Sequence, residues 1–167
     1  MKNDYVLDGS CAIISINHLG GKLECLVDVD DLQRLNEETK NTLWTAKHHT
    51  GEHYVRFRHD SKIMLLHRYI MRATGKLVVD HIDGNPLNNQ KTNLRLITDS
   101  ENKQNRQGQN AKNVSGYRNV HWNKRCNKWE VSVKVNNKAK YIGQFDTIEE
   151  ANTKAIEARG KYYPYAT

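Results

Sequence analysis

Residues able to do chemistry are densest in V-D-H-I-D-G-N-P-L-N-N-Q-K-T-N-L-R-L-I-T-D-S-E-N-K-Q-N, residues 79–105. Asp80 and His81 are adjacent at the end of a predicted strand, where neighbouring side chains point to opposite faces. A carboxylate can therefore hold a cation while the imidazole meets a different atom of the same substrate. Asn102, on a predicted helix beyond the next strand, can bring an amide oxygen back to that ion. Hard oxygen donors of this kind suit magnesium or manganese rather than zinc. His81, with an ordinary imidazole pKa near neutrality, can deprotonate a water that attacks phosphorus. The metal would neutralise charge on the scissile phosphate and the departing oxygen. Asn93, beside the second strand, is placed to tie the long loop so that the imidazole cannot swing. Asp83, Asn85, Asn88 and Asn89 read as residues that hold the loop by capping backbone groups. Asn105 and Arg106 follow Asn102 by three and four residues, hence on one helical face. Arg106 either clamps a phosphate or is an ordinary solvated arginine.

The elements that must carry these groups follow from pattern. Leu77–Val79 and Leu94–Thr98 are predicted strands, and Thr98, Asp99 or Ser100 can cap a polar helix from about Glu101 to Arg106. Upstream, Leu66–Ala73 is a predicted helix that stops before Gly75. Ala12–Ile16 and Leu23–Val29 read as strands around Gly20-Gly21, Asp30–Asn36 as a short helix with an acidic start, and Tyr54–Arg58 as a half-exposed strand. His48, His49, His53 and His59 share no metal-ligand spacing and read as solvated surface histidines. His67 reads as a packed core residue and stays outside the catalytic set. Downstream, Tyr117–Trp122, Trp129–Val135 and Lys140–Ile142 are predicted strands, with Asn136-Asn137 a tight hairpin turn. Thr147-Ile148-Glu149-Glu150 is a capping box. The helix it opens aligns Ile148, Ala151, Ala155, Ala158 and Tyr162 on one stripe.

Composition bounds the rest. The chain has 167 residues, 37% of them hydrophobic, and a mean hydropathy of −0.84, so several small modules fit better than one large apolar core. No run approaches the roughly 20 apolar residues of a membrane span, and residues 1–5 lack the apolar stretch of a secretory signal. Three unpaired cysteines, Cys11, Cys25 and Cys126, argue against a disulfide framework and against a structural zinc site. A reduced, intracellular protein is the expectation. The formal net charge is +7, split as −3 over residues 1–60, +4 over 61–110 and +6 over 111–167. Such a distribution points to a nucleic-acid partner before a membrane, with a merely basic surface about equally compatible with charge alone.

On Asp80-His81, D-H-I-D-G-N-x-x-N-N, N-L-R and Asn102, the segment from about Leu66 to Gly108 resembles the HNH endonucleases, whose ββα-metal fold has this strand–loop–strand–helix order. The resemblance implies Asp80 as metal ligand, His81 as general base and Asn93 as the residue orienting it. The last motif position is often a metal-binding His; Asn102 there resembles the homing branch of the family. Residues 115–163 resemble the DNA-binding domain of plant APETALA/ethylene-response factors, carried by Gly116-Tyr117-Arg118, the second Trp of the segment, Ile142-Gly143-x-Phe145 and Glu150-Ala151. In that family a three-stranded sheet lies in the major groove. By position the resemblance nominates Arg118, His121, Arg125, Lys134 and Tyr141 as DNA contacts, with Arg118 able to grip guanine in two places. Trp122 either stacks at that interface or packs beneath the sheet, and Trp129 is expected in the core.

Together these readings predict an α+β protein with residues 1–60 as a mixed strand/helix segment, 61–108 as the nuclease module, 109–115 as a linker and 116–167 as a sheet-plus-helix DNA-binding domain. The implied activity is metal-dependent hydrolysis of duplex DNA, leaving 5′-phosphate and 3′-hydroxyl ends, with one magnesium or manganese ion. A monomer that nicks one strand is expected, a dimer being left open. The rival is a non-catalytic DNA-binding regulator on a degenerate nuclease fold.

Overall fold

A computed structural model describes residues 1–48, 51–105 and 113–165. The predicted α+β class holds: small antiparallel sheets are joined by short helices. None of the described helices is long and apolar enough to cross a membrane. The chain forms two compact units, Met1–Ile97 and Thr98–Thr167.

In the first unit, β1 (Tyr5–Asp8), β2 (Cys11–His18) and β3 (Gly21–Asp28) form one sheet in that order. Alternation in β2 buries Ala12, Ile14 and Ile16, the period-2 signature of a half-buried strand. Helix α1 (Val29–Glu38) starts on Asp30 and Asp31 and turns Leu32 and Leu35 inward. A second sheet follows, made of β4 (Trp44–Lys47), β5 (His53–His59) and β6 (Lys62–Leu65). Val55 and Phe57 of β5 join the apolar core with Ile14, Val27, Leu35, Leu66, Val79 and Leu94. The division expected at 60/61 falls in the turn between β5 and β6, neighbours in one sheet. The N-terminal segment therefore shares a core with Leu66, Val79 and Leu94.

Helix α2 (Leu66–Ile70) is shorter than the predicted Leu66–Ala73. Arg72 adopts φ 48°, a left-handed conformation that no helix continues through. Then β7 (Val78–His81) pairs antiparallel with β8 (Leu94–Ile97), placing Asp80 opposite Arg95 and His81 opposite Leu94.

The second unit opens with α3 (Asp99–Asn105). Its sheet has the order β11-β10-β9, from β9 (Val120–Asn123), β10 (Lys128–Val135) and β11 (Lys138–Phe145), with α4 (Ile148–Tyr162) on one face. Asn136 and Asn137 both have positive φ, 49° and 62°, as a two-residue hairpin turn of the primed kind requires. Thr147 caps α4 by accepting the Glu150 amide, and Ala151, Ala155 and Ala158 are buried as the stripe predicted. The linker expected at 109–115 lies mostly outside the described residues.

Candidate active site

Everything from Ile82 to Asn93 is tied down by short polar side chains. Gly84, at φ 74°, turns the chain so that its amide returns to the His81 carbonyl at 3.0 Å. The Asp83 carboxylate accepts from the Asn85 amide at 2.8 Å and from the Asn88 side chain at 2.8 Å. Asn93 then closes the loop. Its Oδ1 accepts from Asp83 N at 3.0 Å, and its Nδ2 donates to Asp83 Oδ1 and to Asn88 O, both at 2.9 Å. Partial burial pushes the Asp83 carboxyl upward, but these three donors win and hold it below the ordinary carboxylate range. Asn93 fixes the backbone that carries the His81 ring, since its carbonyl also accepts the Ile82 amide at 2.8 Å.

The ring itself meets Asn89, which is fully buried. Asn89 Nδ2 donates to Pro86 O at 3.2 Å and to Cys25 Sγ at 3.4 Å. Its Oδ1 is thereby turned toward His81 Nε2, 3.5 Å away. An amide oxygen only accepts, so this contact selects the tautomer with the proton on Nε2 and leaves Nδ1 as the basic nitrogen. The Asn89 amide donates to Leu26 O at 2.8 Å, and Leu26 N donates to Leu87 O at 2.9 Å. Lys91 N donates to Asp28 Oδ2 at 2.9 Å. Strand β3, far from this loop in sequence, is thus the shelf on which the loop rests.

Aromatic rings wall in the imidazole. His67 lies edge-on to His81 with ring centres 5.2 Å apart, and Tyr54 lies 6.1 Å from His81 and 5.6 Å from His67. His81 keeps only 7% of its surface exposed. Burial lowers its pKa, against the opposing pull of Asn89, Asp83 and Asp80. Its ground state at neutral pH is therefore the uncharged base. His67, similarly buried, is pushed down to about 3 by burial and by the facing His81, and its Nδ1 meets no partner among the described residues. The expectation that His67 is a packed residue holds, but what it packs against is the candidate base. His48 stacks edge-on to Tyr54 and His53 edge-on to His18. These two half-buried rings correct their reading as solvated surface groups. His49 lies outside the described residues.

Asp80 faces the other way, as strand alternation requires. Its Oδ2 accepts from Arg95 Nε at 2.8 Å and from a second guanidinium nitrogen at 2.6 Å, in a largely buried pair. Sequence reading missed Arg95; its cross-strand register with Asp80 is the signal that would have found it. As donors for a cation, the available groups are the Asp80 carboxylate and amide oxygens. Among the described residues no three His, Cys, Asp or Glu side chains converge. Burial pushes the Cys25 thiol up to about 12, so it is no thiolate ligand. The Asp80 carboxylate is a hard oxygen donor of the kind a divalent ion takes, and in this structure Arg95 shares it. Asn102 lies on α3, in the second unit.

Of the nominated DNA contacts, Lys134 and Tyr141 lie exposed on the sheet face away from α4, with Ser132 opposite Tyr141 across β10 and β11. His121 shares that face but pairs with Glu130 at 3.2 Å. Asn123 donates to the same carboxylate at 2.8 Å and is the leading reason that Glu130 titrates below its ordinary range. Arg125 sits exposed in the β9–β10 turn. Two of the candidate residues are engaged within their own unit. Arg118 donates to the Lys103 and Gln104 carbonyls at the end of α3, a helix-capping role, so its guanidinium is not held out for a base. Trp122 pairs with Trp129 across β9 and β10 and stacks edge-on against it at 4.9 Å. It therefore lies on the α4 side of the sheet, although 43% of it remains exposed. Trp129 packs against the core, as expected. Arg106 lies outside the described residues.

No solved structure matches the chain with significance. Over 71 residues it is 37% identical to Protein 3.8 of Escherichia phage T7, an overlap covering 42% of this chain and 58% of that protein. The chain thus spans less than two thirds of that relative's length. Residues 65–104, which enclose Asp80, His81, Asn93 and Asn102, match the family model of HNH endonucleases, and this likeness supports a nuclease domain acting on DNA.

Proposed function

We propose that the chain is a metal-dependent DNA endonuclease of the HNH homing type. The observation that carries this reading is the pairing of a buried, uncharged His81 with an Asp80 carboxylate on the opposite side of the same strand end, inside the segment that matches HNH endonucleases. His81 Nδ1 takes a proton from a water as the water oxygen bonds to phosphorus. The bond from phosphorus to O3′ breaks, O3′ is protonated from solvent, and the products are a 5′-phosphate and a 3′-hydroxyl. Asp80 would hold a magnesium or manganese ion, which would supply charge neutralisation at the phosphate and the leaving oxygen. Asn89 and Asn93 keep the imidazole oriented, one through the ring and the other through its loop. The sheet of the second unit reads duplex DNA in the manner of the APETALA/ethylene-response domains, with Lys134, Tyr141 and Arg125 as contacts. One catalytic centre per chain yields a nick.

The test is incubation of supercoiled plasmid with protein and magnesium, resolving nicked from linear product. His81→Ala should lower the cleavage rate by about two to four orders of magnitude while leaving DNA affinity unchanged. Undiminished cleavage by that variant would remove His81 from the mechanism. The two-pronged Arg95–Asp80 contact favours a second reading, a non-catalytic DNA-binding regulator in which Arg95 permanently satisfies Asp80. Wild-type protein that binds duplex DNA but never cuts it, with either metal, would establish that alternative.

A further inference from the structure

We propose that the face of β5 bearing Tyr54, Arg56 and Arg58 is a binding strip for the phosphate backbone of the DNA strand delivered to His81. The inference deepens the nuclease reading and depends on it for the identity of its ligand. Val55 and Phe57 of β5 are buried in the core, so alternation puts Tyr54, Arg56 and Arg58 together on the opposite face, spaced about 6.7 Å apart. At one end of this row the Tyr54 ring borders His67 and His81. At the other end Arg58 is exposed. The row therefore runs from solvent to the candidate base.

Between them, Arg56 is half-buried opposite Trp44 on one side and Leu65 on the other. Its Nε is buried and meets no partner among the described residues. A buried charged donor left without an acceptor is destabilising, and an incoming anion removes that cost. Three arginines of this unit are already engaged: Arg34 with the Tyr69 and Ile70 carbonyls, Arg68 with the Leu77 and Ala73 carbonyls, and Arg95 with Asp80. The two arginines of β5 also sit in a segment, residues 1–60, whose formal charge is −3. Their clustering on one face is thus local, not a by-product of a basic composition. A guanidinium fork matches phosphate oxygens in geometry and charge, and apolar flanks such as Trp44 and Leu65 strengthen that attraction by excluding water.

The experiment measures affinity of the full chain for a short labelled duplex by fluorescence anisotropy, in EDTA so that nothing is cut, across a range of salt concentrations. Arg56→Met keeps the side-chain stem and removes the charge; Arg58→Met does the same at the exposed position. Thermal melts verify folding. The proposal expects either variant to bind about tenfold more weakly at low salt, the equivalent of one charge-assisted hydrogen bond. It also expects the salt slope to flatten by about 0.9, one phosphate contact. Unchanged slopes in both variants overturn the strip, as does a wild-type chain that binds no duplex. If Arg56→Met does not fold, Arg58→Met decides alone. Plasmid cleavage is scored separately: arginine-dependent binding without cleavage keeps the strip and sinks the nuclease reading, whereas cleavage with unchanged slopes does the reverse.

Discussion

Replacing His67 by Leu should make the protein less sensitive to acid, by an amount that follows from one buried ring. In the folded chain His67 titrates at about 3; in the unfolded chain an ordinary imidazole titrates near 6.5. Between those values the unfolded state binds a proton that the folded state refuses, so stability falls as pH falls. The stability is fully present above pH 6.5 and declines progressively toward pH 3. At pH 5 the unfolded His67 lies 1.5 units below its pKa, and at 1.36 kcal/mol per unit the loss is ~2 kcal/mol. Urea titrations at pH 7.5 and pH 5 measure it. Wild type should lose ~2 kcal/mol more than His67→Leu between the two, every other titrating group being shared. At pH 7.5 the variant should be close to wild type, because Leu also removes a nitrogen that meets no partner among the described residues. Equal losses in the two proteins would refute the placement of a neutral, buried His67 against His81.

Three further outcomes are expected. Burial lowers the pKa of His81, so a base-catalysed cleavage rate should hold its plateau to a pH below the ordinary imidazole range before it declines; a single-turnover pH profile breaking at or above 6.5 would contradict this. Asn93→Ala removes both side-chain bonds to Asp83 and one to the Asn88 carbonyl, which should destabilise the chain by about 1–3 kcal/mol. Its thermal midpoint measured against that of Asn85→Ala, which loses one exposed bond, checks the ranking. In the second unit, a Cβ on Gly143 would stand 2.9 Å from the Phe145 ring, so Gly143→Ala should cost about 1–3 kcal/mol as the ring is displaced, and an unchanged melting temperature would argue against that close approach.

Where alternation and turn chemistry act locally, the chain can be read directly. Ala12, Ile14 and Ile16 declare β2, the two asparagines at 136 and 137 declare a hairpin, and Thr147 with Glu150 declares the start of α4. Strands β1 and β4 escaped such reading. Each has four residues, none of them buried, and each exists because a longer neighbour offers it an edge. The candidate site divides along the same line. Asp80, His81 and Asn93 are visible because their spacing is local, within one loop. Tyr54, His67, Cys25 and Arg95 come to the site through tertiary packing and strand register, which no short window contains. Arg118 and Trp122 show the converse. Their residue types suit DNA, while a helix end holds one guanidinium and cross-strand pairing selects, of the two readings of the indole, packing against Trp129.

The anchoring of the 82–91 loop on β3 bears on how this chain can be cut or borrowed. Leu26 gives one backbone bond to the loop and receives another, while Cys25 holds the amide that meets the base. A transplanted fragment of residues 61–108 would keep every letter of its signature and lose the ledge beneath it. Deletions from the front of the protein should accordingly silence the chemistry once they pass Gly21, well before reaching any residue of the signature itself.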